Sequence, residues 1–257
     1  MKISAYIIAY NEEEKIEQCI KSVSWADEIL LIDSYSTDRT PEIAKSLGAK
    51  VVNVKFEGFG KLRNSAIANC SNKWIFSLDS DERCTDEVKN EILQKINDSS
   101  SKTDIYFIPR KNFFMGKWIN FSGWSPNYRQ PQLFKKGSMT YDEKPVHEGF
   151  ISHSKYEIGY LKNKIWQFPF KNIEEVMHKA NRYSSLGVSK LKDKNKKSSV
   201  TIAFLHGFWA FFKHYFLKLG ILDGGPGFVI AIGNFEGTFY RYLKLLEDQN
   251  KESWKPK

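Results

Sequence analysis

The chain has 257 residues, a formal net charge of +9 and an aromatic content of 15%, the composition of a globular protein with a basic surface. This length fits one large α/β domain with an appendage, or two small domains. The three cysteines lack the spacing of a metal site and indicate a reduced, cytosolic compartment, and the first residues lack the layout of a signal peptide. The positive charge admits nucleic acid, an anionic membrane surface or a phosphorylated substrate as partner.

The first hundred residues alternate strand and helix signals. Ile3 to Ala9 is an apolar run of strand length, and Asn11 is placed to cap a helix whose first turn is acidic. Glu28 to Asp33 predicts a second strand. Thr40 then caps a helix that Gly48 ends, with proline in the first helical position.

The same alternation continues to residue 96. Val51 to Val54 predicts a third strand, Leu62 to Cys70 a short helix, Trp74 to Asp79 a fourth strand and Thr85 to Ile96 a helix. Strands and helices that alternate in this way predict a mostly parallel sheet with right-handed crossovers. The sequence has neither the glycine fingerprint of a dinucleotide fold after its first strand nor a phosphate-binding loop of the Walker type.

Beyond the polar linker at residues 98–102 the pattern becomes irregular. Ile105 to Ile108, Gln132 to Phe134 and the region from Tyr156 to Phe168 predict further strands. A helix with apolar residues at helical spacing follows from Ile173. The regular alternation is thus confined to the first hundred residues.

The last quarter of the chain has a different character. Lys190 to Lys197 carries five lysines against one aspartate, and an aromatic segment from Val200 to Phe216 follows. This apolar stretch is too short and too interrupted for a membrane-spanning helix, which needs about 20 residues. A basic run beside an aromatic amphipathic segment fits a helix that lies in the membrane interface. The alternative is a core helix packed on the domain behind a solvated lysine loop.

Two carboxylates follow the fourth predicted strand directly, in Leu78-Asp79-Ser80-Asp81-Glu82. Acidic side chains at the end of a core strand are unfavourable unless a cation lies there, and ligands of open α/β sheets gather at the carboxyl ends of strands. Mg²⁺ and Mn²⁺ prefer oxygen ligands, so Asp79 and Asp81 are candidate ligands of a divalent ion that holds a diphosphate. The alternative is that both aspartates only cap the helix that follows.

Other polar residues are predicted to meet this acid pair. Asp33 ends the second predicted strand, and Tyr10 and Asn11 follow the first. In a parallel sheet these positions converge on one edge, where an aromatic ring, a carboxylate and the acid pair suit the base, ribose and diphosphate of a nucleotide. Lys61 and Arg63, on the helix before the acid pair, could neutralise phosphate.

Four motifs of the first hundred residues occur together in a known enzyme family. They are Ile7-Ile8-Ala9-Tyr10-Asn11-Glu12, the string from Ile32 to Thr40, Lys61-Leu62-Arg63-Asn64 and Leu78-Asp79-Ser80-Asp81-Glu82-Arg83. In this combination the chain resembles a family 2 glycosyltransferase. The resemblance implies the GT-A fold, a mixed and mostly parallel sheet flanked by helices.

Motifs of the second half narrow this resemblance. They are Gly123 to Pro126, Leu133 to Gly137, Pro145 to Glu148, Leu219 to Phe228 and Tyr242 to Glu247. In these segments the chain is similar to the bacterial β-1,4-glucosyltransferases that add glucose to a heptose of the lipopolysaccharide inner core. The resemblance implies a UDP-sugar donor, a lipid-linked saccharide acceptor and a divalent cation, Mg²⁺ or Mn²⁺, as cofactor.

The resemblance also implies roles in nucleotide binding. Tyr10 and Asp33 would contact the base, with Asp33 accepting a hydrogen bond from uracil. Asp79 would bind the ribose or a metal-bound water. The residues that would complete the nucleotide site are Asn11, Lys61 and Arg63.

For the chemical step, the resemblance implies a metal ligand and a general base. Asp81 would ligate the divalent ion, with Asp79 and His147 as further candidate ligands, and the ion would stabilise charge on the departing diphosphate. Glu148 would take the proton from the acceptor hydroxyl as it attacks the anomeric carbon. Attack opposite the leaving group would invert the sugar centre. Without the family match, a surface salt bridge is the ordinary role of a His-Glu pair, and His147 could be only a structural neighbour.

Three positions depart from the family pattern. Asn127 stands where related sequences carry aspartate, and Gln132 where they often carry arginine, with Arg129 nearby as a substitute. Gln167 replaces a histidine that could complete the metal site, and its carbonyl oxygen is a weaker ligand. The metal site and the acceptor specificity are therefore where this chain is expected to differ from its relatives.

These inferences predict a GT-A catalytic domain at residues 1–170, with a nucleotide-binding half at 1–100 and an acceptor-side half at 101–170. A C-terminal helical, membrane-interfacial extension is predicted at 171–257. The predicted enzyme is a metal-dependent inverting hexosyltransferase, peripheral on the inner face of the bacterial cytoplasmic membrane and in contact with its anionic lipid. The alternative is a catalytically silent, membrane-associated module of the same fold that binds a saccharide or nucleotide. Nucleic acid is not an expected partner, because basic residues mostly alternate with acids and no recognised motif accompanies them.

Overall fold

The computed structural model describes residues 1–125, 131–143, 149–251 and 253–254. The chain divides into two compact units, residues 1–111 with 127–167 and residues 112–126 with 168–257. The predicted division at residue 170 stays a prediction.

Strands and helices alternate through the first hundred residues, apart from a two-residue strand that follows the fourth strand directly. Up to residue 114 they are β1 (Ile3–Ala9), α1 (Glu13–Ser22), β2 (Glu28–Asp33), α2 (Thr40–Ser46), β3 (Lys50–Asn53), α3 (Phe59–Asn69), β4 (Trp74–Asp79), β5 (Glu82–Arg83), α4 (Asp86–Asn97), β6 (Ile105–Phe107) and β7 (Arg110–Phe114). Later elements are β8 (Lys117–Ile119), β9 (Pro131–Lys135), β10 (Met139–Tyr141), β11 (Phe150–Ser152), β12 (Gly159–Tyr160), β13 (Ile165–Gln167), α5 (Ile173–Asp193), α6 (Val200–Phe212), a π-helical turn (Lys213–Leu217), a 3₁₀ turn (Gly220–Asp223) and α7 (Gly225–Asn250).

A mixed sheet forms the centre of the first unit, with strand order β12-β6-β9-β4-β1-β2-β3. Strands β1 to β4 are mutually parallel where they pair, and β9 is antiparallel to both β4 and β6. The register places Ala9 opposite Asp33 and Ile8 opposite Asp79. The predicted α/β architecture, a mixed and mostly parallel sheet flanked by helices and followed by C-terminal helices, is confirmed.

Both faces of this sheet are covered, which explains why its central strands read as continuous apolar runs. Along β1, Ala5 and Ile7 pack in the same cluster as buried residues of α1 and α4, whereas Tyr6 and Ile8 pack with those of α3. Successive side chains of a strand point to opposite faces, so one buried strand contributes to two cores.

Two predicted helix caps, Asn11 and Thr40, are wrong. Helix α1 begins at Glu13 after Glu12, with no capping side chain, and Asn11 instead has a left-handed backbone with φ of 54°. The Asn11 carboxamide oxygen accepts a hydrogen bond from the Thr37 backbone N–H at 2.8 Å. The asparagine thus joins two loops and does not start the helix. Thr40 is likewise inside α2, with Arg39 as the cap residue.

The second unit contains residues 112–114 of β7, which pair with β8 so that Asn112 lies opposite Ile119, and the helices α5, α6 and α7. Helix α6 lies against α7, where a side chain at Gly207 would meet the Phe235 ring at 3.1 Å. Asp223 is buried and accepts hydrogen bonds from the backbone N–H of Asn120 and Phe121. A single carboxylate therefore ties the loop after β8 to the turn before α7.

The apolar segment that begins at Val200 is α-helical as far as Phe212, and the next five residues form a π-helical turn. Across the described ranges, no helix combines the length and the apolar content that crossing a membrane requires.

Candidate functional site

The carboxyl ends of three parallel strands bring the predicted nucleotide-binding residues to one edge of the sheet. Asp33 ends β2 and Asp79 ends β4, and β1 lies between these strands. Neighbouring strands are about 4.8 Å apart, so the two aspartate backbones lie roughly 10 Å from each other. Tyr10 and Asn11 follow β1 at the same edge. The predicted convergence of these four residues is therefore confirmed by the register, and their roles stay predictions.

Asp33 shapes the loop that follows it. The side chain is 2% exposed, and its two oxygens accept hydrogen bonds from the backbone N–H of Ser36 at 2.9 Å and from the Ser36 hydroxyl. Tyr35, between them, has a left-handed backbone and an exposed ring, and Tyr10 is 58% exposed. Two aromatic rings thus remain available at an edge whose carboxylate is already held in place.

The rest of the Ser-Thr-Asp string fastens this loop to the start of α1. Asp38 accepts hydrogen bonds from the backbone N–H of Glu13 at 3.0 Å and of Thr40 at 3.0 Å. Glu13 in turn accepts from the backbone N–H of Arg39 at 3.0 Å. Burial alone would raise the pKa of the Asp38 carboxyl, but the hydrogen bonds from Thr40 and Glu13 outweigh it and lower that pKa. These residues thus have a structural role, since they fix the loop after β2 to the start of α1. The sequence pattern alone does not reveal this role.

Arg63 is paired with Asp79. Its guanidinium donates to the Asp79 carboxylate at 2.6 Å and to the Ser77 hydroxyl at 3.2 Å, and its side chain is almost fully buried. Burial opposes the charge on Arg63, but the attraction of Asp79 outweighs it and raises the pKa of the guanidinium. Arg63 therefore orients and neutralises Asp79, whereas Lys61, two residues earlier, is exposed and pairs with Glu57 at 3.1 Å.

Asp81 lies in the turn between β4 and β5, beside Gln167 of β13. The Gln167 amide approaches both carboxylate oxygens of Asp81, at 3.3 and 3.4 Å. The side chain of Gln167 is buried, and its strand pairs with β5 so that Gln167 lies opposite Glu82. The position expected to carry a histidine in relatives is thus adjacent to Asp81, as its proposed part in a metal site requires.

A buried ion pair between Glu82 and Arg110 stabilises the turn that carries Asp81. Glu82 is fully buried and accepts from the Arg110 guanidinium, from the Gln132 amide at 2.9 Å and from the backbone N–H of Asp79 at 3.0 Å. Burial raises the pKa of the Glu82 carboxyl, and the charge of Arg110 opposes that rise. Sequence reasoning assigned no role to Glu82 or Arg110. The available signal was polar residues at inward-facing positions of short strands, at Arg110 and Asn112 of β7.

Helix α3 also holds the strand that leads toward the predicted general base. The Asn64 side chain donates to the Tyr141 carbonyl at 3.0 Å and accepts from the Tyr141 backbone N–H at 2.8 Å. Next along the chain, the Asp142 backbone N–H donates to the Gly149 carbonyl at 3.0 Å. The two described ends of the 144–148 segment are therefore joined to each other and anchored to α3. His147 and Glu148, like Asn127 and Arg129, lie outside the described residues, so their predicted roles stay predictions.

The residues around Asp81 fit a divalent cation whose remaining ligands come from water and from the phosphates of a substrate. Among the described residues, no group of three or more His, Cys, Asp or Glu side chains is arranged to hold a metal. Magnesium-type sites commonly use only one or two carboxylates and fill the other positions with water and phosphate oxygens. Asp81 supplies such a carboxylate, and rotating the Gln167 amide presents its carbonyl oxygen at the same place.

The chain is similar to known glycosyltransferases over most of its length. The sequence profile of "Glycosyl transferase family 2" matches residues 4–152. An uncharacterized glycosyltransferase of Rickettsia typhi is 31% identical, with 96% of this chain and 87% of that protein covered. The lipopolysaccharide core biosynthesis glycosyltransferase LpsC of Rhizobium meliloti is 27% identical, with 77% of this chain and 74% of that protein covered.

Among solved structures, glucosyl-3-phosphoglycerate synthase of Mycobacterium tuberculosis, in complex with Mn²⁺ and UDP, is 27% identical with a TM-score of 0.37. The match covers 45% of this chain and 44% of that one, so this chain spans less than half of the solved structure. At this TM-score the similarity supports no conclusion about ligands.

Proposed function

Because the chain belongs to glycosyl transferase family 2, we propose that it transfers a hexose from a UDP-sugar to a saccharide acceptor with inversion of the sugar centre. The family match supports a glycosyltransferase that uses a nucleotide-sugar donor. The observation that carries the proposal is the edge of the sheet at which Asp33, Asp79 and Asp81 meet, with exposed Tyr10 beside them. That edge offers an aromatic surface for a base and carboxylates for a diphosphate-bound cation.

The proposed reaction is a single displacement at the anomeric carbon of the donor sugar. Glu148 accepts the proton of the acceptor hydroxyl while that oxygen forms a bond to the anomeric carbon. The bond from the anomeric carbon to the diphosphate oxygen breaks, and its electron pair leaves with UDP. Asp81 would hold a divalent cation, which would supply positive charge where the diphosphate departs. Arg63 keeps Asp79 oriented at the same edge, and the Arg110–Glu82 pair fixes the turn that carries Asp81.

The donor sugar is proposed to be glucose and the acceptor a heptose of a lipopolysaccharide core. The similarity to LpsC over 77% of the chain supports a role in lipopolysaccharide core assembly. The motifs of the second half, Pro145 to Glu148 among them, support the branch that uses glucose.

The second unit supports an acceptor that is embedded in a membrane. Large apolar side chains of α6 and the following turns are exposed, among them Leu205 at 59%, Phe208 at 53% and Leu222 at 59%. Between residues 193 and 236 the only acidic residue is Asp223, which is buried, against five lysines. A basic surface with exposed aromatic residues is suited to the interface of an anionic bilayer. We therefore place the enzyme as a peripheral protein on the inner face of the cytoplasmic membrane.

The reaction is tested by incubating purified protein with a panel of UDP-sugars, Mn²⁺ or Mg²⁺, and a deacylated lipopolysaccharide core that ends in heptose. We expect metal-dependent release of UDP and a β-linked product from UDP-glucose. If only another UDP-sugar is turned over, glucose is not the donor, but the proposal that the protein is a sugar transferase still holds. Absence of turnover together with absence of UDP binding in calorimetry would contradict the proposed function.

Membrane contact is tested by flotation with vesicles. We expect the full chain to float with vesicles that contain one quarter phosphatidylglycerol and to bind at least tenfold more weakly to pure phosphatidylcholine, because each lysine near an anionic surface contributes about 1 kcal/mol. The double substitution Leu205→Glu and Phe208→Glu should abolish flotation, because burial of each side chain contributes about 1.5–3 kcal/mol. Ile151→Glu, at an exposed position of β11, is the matched control. Equal binding to both vesicles, or flotation of the double variant, would contradict membrane docking by this surface.

A further inference from the structure

A groove of about 280 Å³ lies within the second unit, between α5 and α7. One end is lined by the rings of Phe114, Trp124 and Phe170, whose centroids are 5.7 to 6.1 Å apart. Its lining continues along α7 from Val229 to Arg241, a distance of about 18 Å at 1.5 Å per residue. The groove thus runs from a cluster of three aromatic rings to Arg241.

Two glycines make the middle of this groove open. Gly233 and Gly237 both line it, one turn apart on α7. Glycines at this spacing often allow two helices to approach closely, but here they do not. A side chain at Gly237 would meet nothing within 4 Å, and one at Gly233 would meet only Val176 at 3.9 Å. Glycine is unfavourable inside a helix, and at these positions its effect is to keep space open beside α5.

The far end of the groove carries a cation that is incompletely satisfied. Among the described residues the Nε of Arg241 has no hydrogen-bond partner, and it is buried against Gly187 of α5. Lys179 lines the other, aromatic end, where its ammonium lies 4.8 Å from the centre of the Phe170 ring and is paired with Glu175 at 3.0 Å. The lining contains no acidic side chain. The side chain of Arg241 is partly exposed and lines the groove, so the terminal N–H groups of its guanidinium can donate two parallel hydrogen bonds to a phosphate or carboxylate there.

We propose that this groove binds one anionic amphiphile, with its hydrocarbon chain along Gly233 and Gly237 and its anionic head group at Arg241. The aromatic end and the glycine-lined middle offer apolar surface over a length that a single hydrocarbon chain can follow. The charge of the groove selects an anion over a neutral or cationic head group. This site does not rest on the transferase reaction, because its residues are separate from those of the sheet edge.

The test is calorimetric titration of the full chain with dodecyl phosphate below its critical micelle concentration. We expect one molecule to bind per chain, at least tenfold more tightly than dodecyltrimethylammonium, which has the same chain and the opposite charge. Inorganic phosphate alone should bind at least a hundredfold more weakly. Gly237→Leu, which fills the groove, and Arg241→Gln, which removes the cation, should each weaken binding of dodecyl phosphate at least tenfold.

Two matched variants separate the groove from its surroundings. Arg182→Gln removes the same charge from the exposed face of α5, and Tyr240→Leu changes an exposed position of α7. Both should bind within twofold of the unaltered protein, and the melting temperature of Gly237→Leu should not fall, because leucine is a better helix former than glycine. Binding that Gly237→Leu does not weaken, equal binding of the cationic amphiphile, or no binding at all would each overturn the proposal.

Discussion

Replacing Asp81 with alanine is expected to lower the rate of sugar transfer by about two to four orders of magnitude. A divalent ion at a departing diphosphate stabilises the transition state by several kcal/mol, and each 1.36 kcal/mol corresponds to a factor of ten. Among the described residues the Gln167 amide approaches Asp81 at 3.3 Å, and its oxygen is a weaker ligand than a carboxylate. Turnover is measured as UDP release with UDP-glucose over a range of Mn²⁺ concentrations.

Asp86→Ala is the matched control for this substitution. Asp86 is exposed in the first turn of α4, so its removal takes away one carboxylate near the sheet edge without touching the turn at Asp81. We expect this variant to retain at least half of the activity. Gln167→His, which restores the residue expected in relatives, should lower the Mn²⁺ concentration that gives half-maximal turnover. An Asp81→Ala variant with unchanged turnover and unchanged metal dependence would remove Asp81 from the site.

The sheet and its edge were predictable because their signals are local. Each central strand is a short apolar run, and Pro41 and Gly48 mark the two ends of α2. Since parallel strands end at the same edge, the convergence of Asp33 and Asp79 follows from topology alone. No side-chain detail is needed for that step.

The pairing of charges at that edge was not predictable. Lys61 and Arg63 occur in one motif two residues apart, and both were candidates for binding phosphate. Helix positions two residues apart face different directions, and only the packing of α3 decides that Arg63 turns inward to Asp79. The same limit applies to Arg110, whose partner Glu82 lies 28 residues earlier in the chain.

The error at Asn11 has a related cause. Asparagine before an acidic first turn predicts a helix cap, but a capping side chain can equally accept a hydrogen bond from another loop. Here the Thr37 backbone N–H competes successfully, because the register of β1 and β2 brings the two loops together. The local sequence shows that the Asn11 side chain can accept a hydrogen bond, but the fold determines which N–H donates it.

Replacing Glu148 with glutamine is expected to lower the catalytic rate by about two to four orders of magnitude, the usual contribution of a positioned general base. Glutamine keeps the shape of the side chain but cannot take the proton of the acceptor hydroxyl. The pH profile distinguishes this role from a structural one. Only the deprotonated carboxylate can accept the proton, so the rate of the unaltered enzyme should rise with pH and then level off. The variant should lose this rising limb and retain its affinity for UDP in calorimetry.

Glu143→Gln is the matched control, because Glu143 is an exposed carboxylate five residues earlier and accepts a hydrogen bond from Asn64 at 3.3 Å. If Glu148 is the base, Glu143→Gln should leave the pH profile and at least half of the activity intact. Equal losses in both variants would indicate a general electrostatic effect of this region, and full activity of Glu148→Gln would require another residue as the base. Hydrogen bonds from Asn64 to Tyr141 and from Asp142 to Gly149 fix the backbone next to Glu143. Both variants keep the Asp142–Gly149 hydrogen bond on either side of residues 144–148, so a difference between them reflects the side chains themselves.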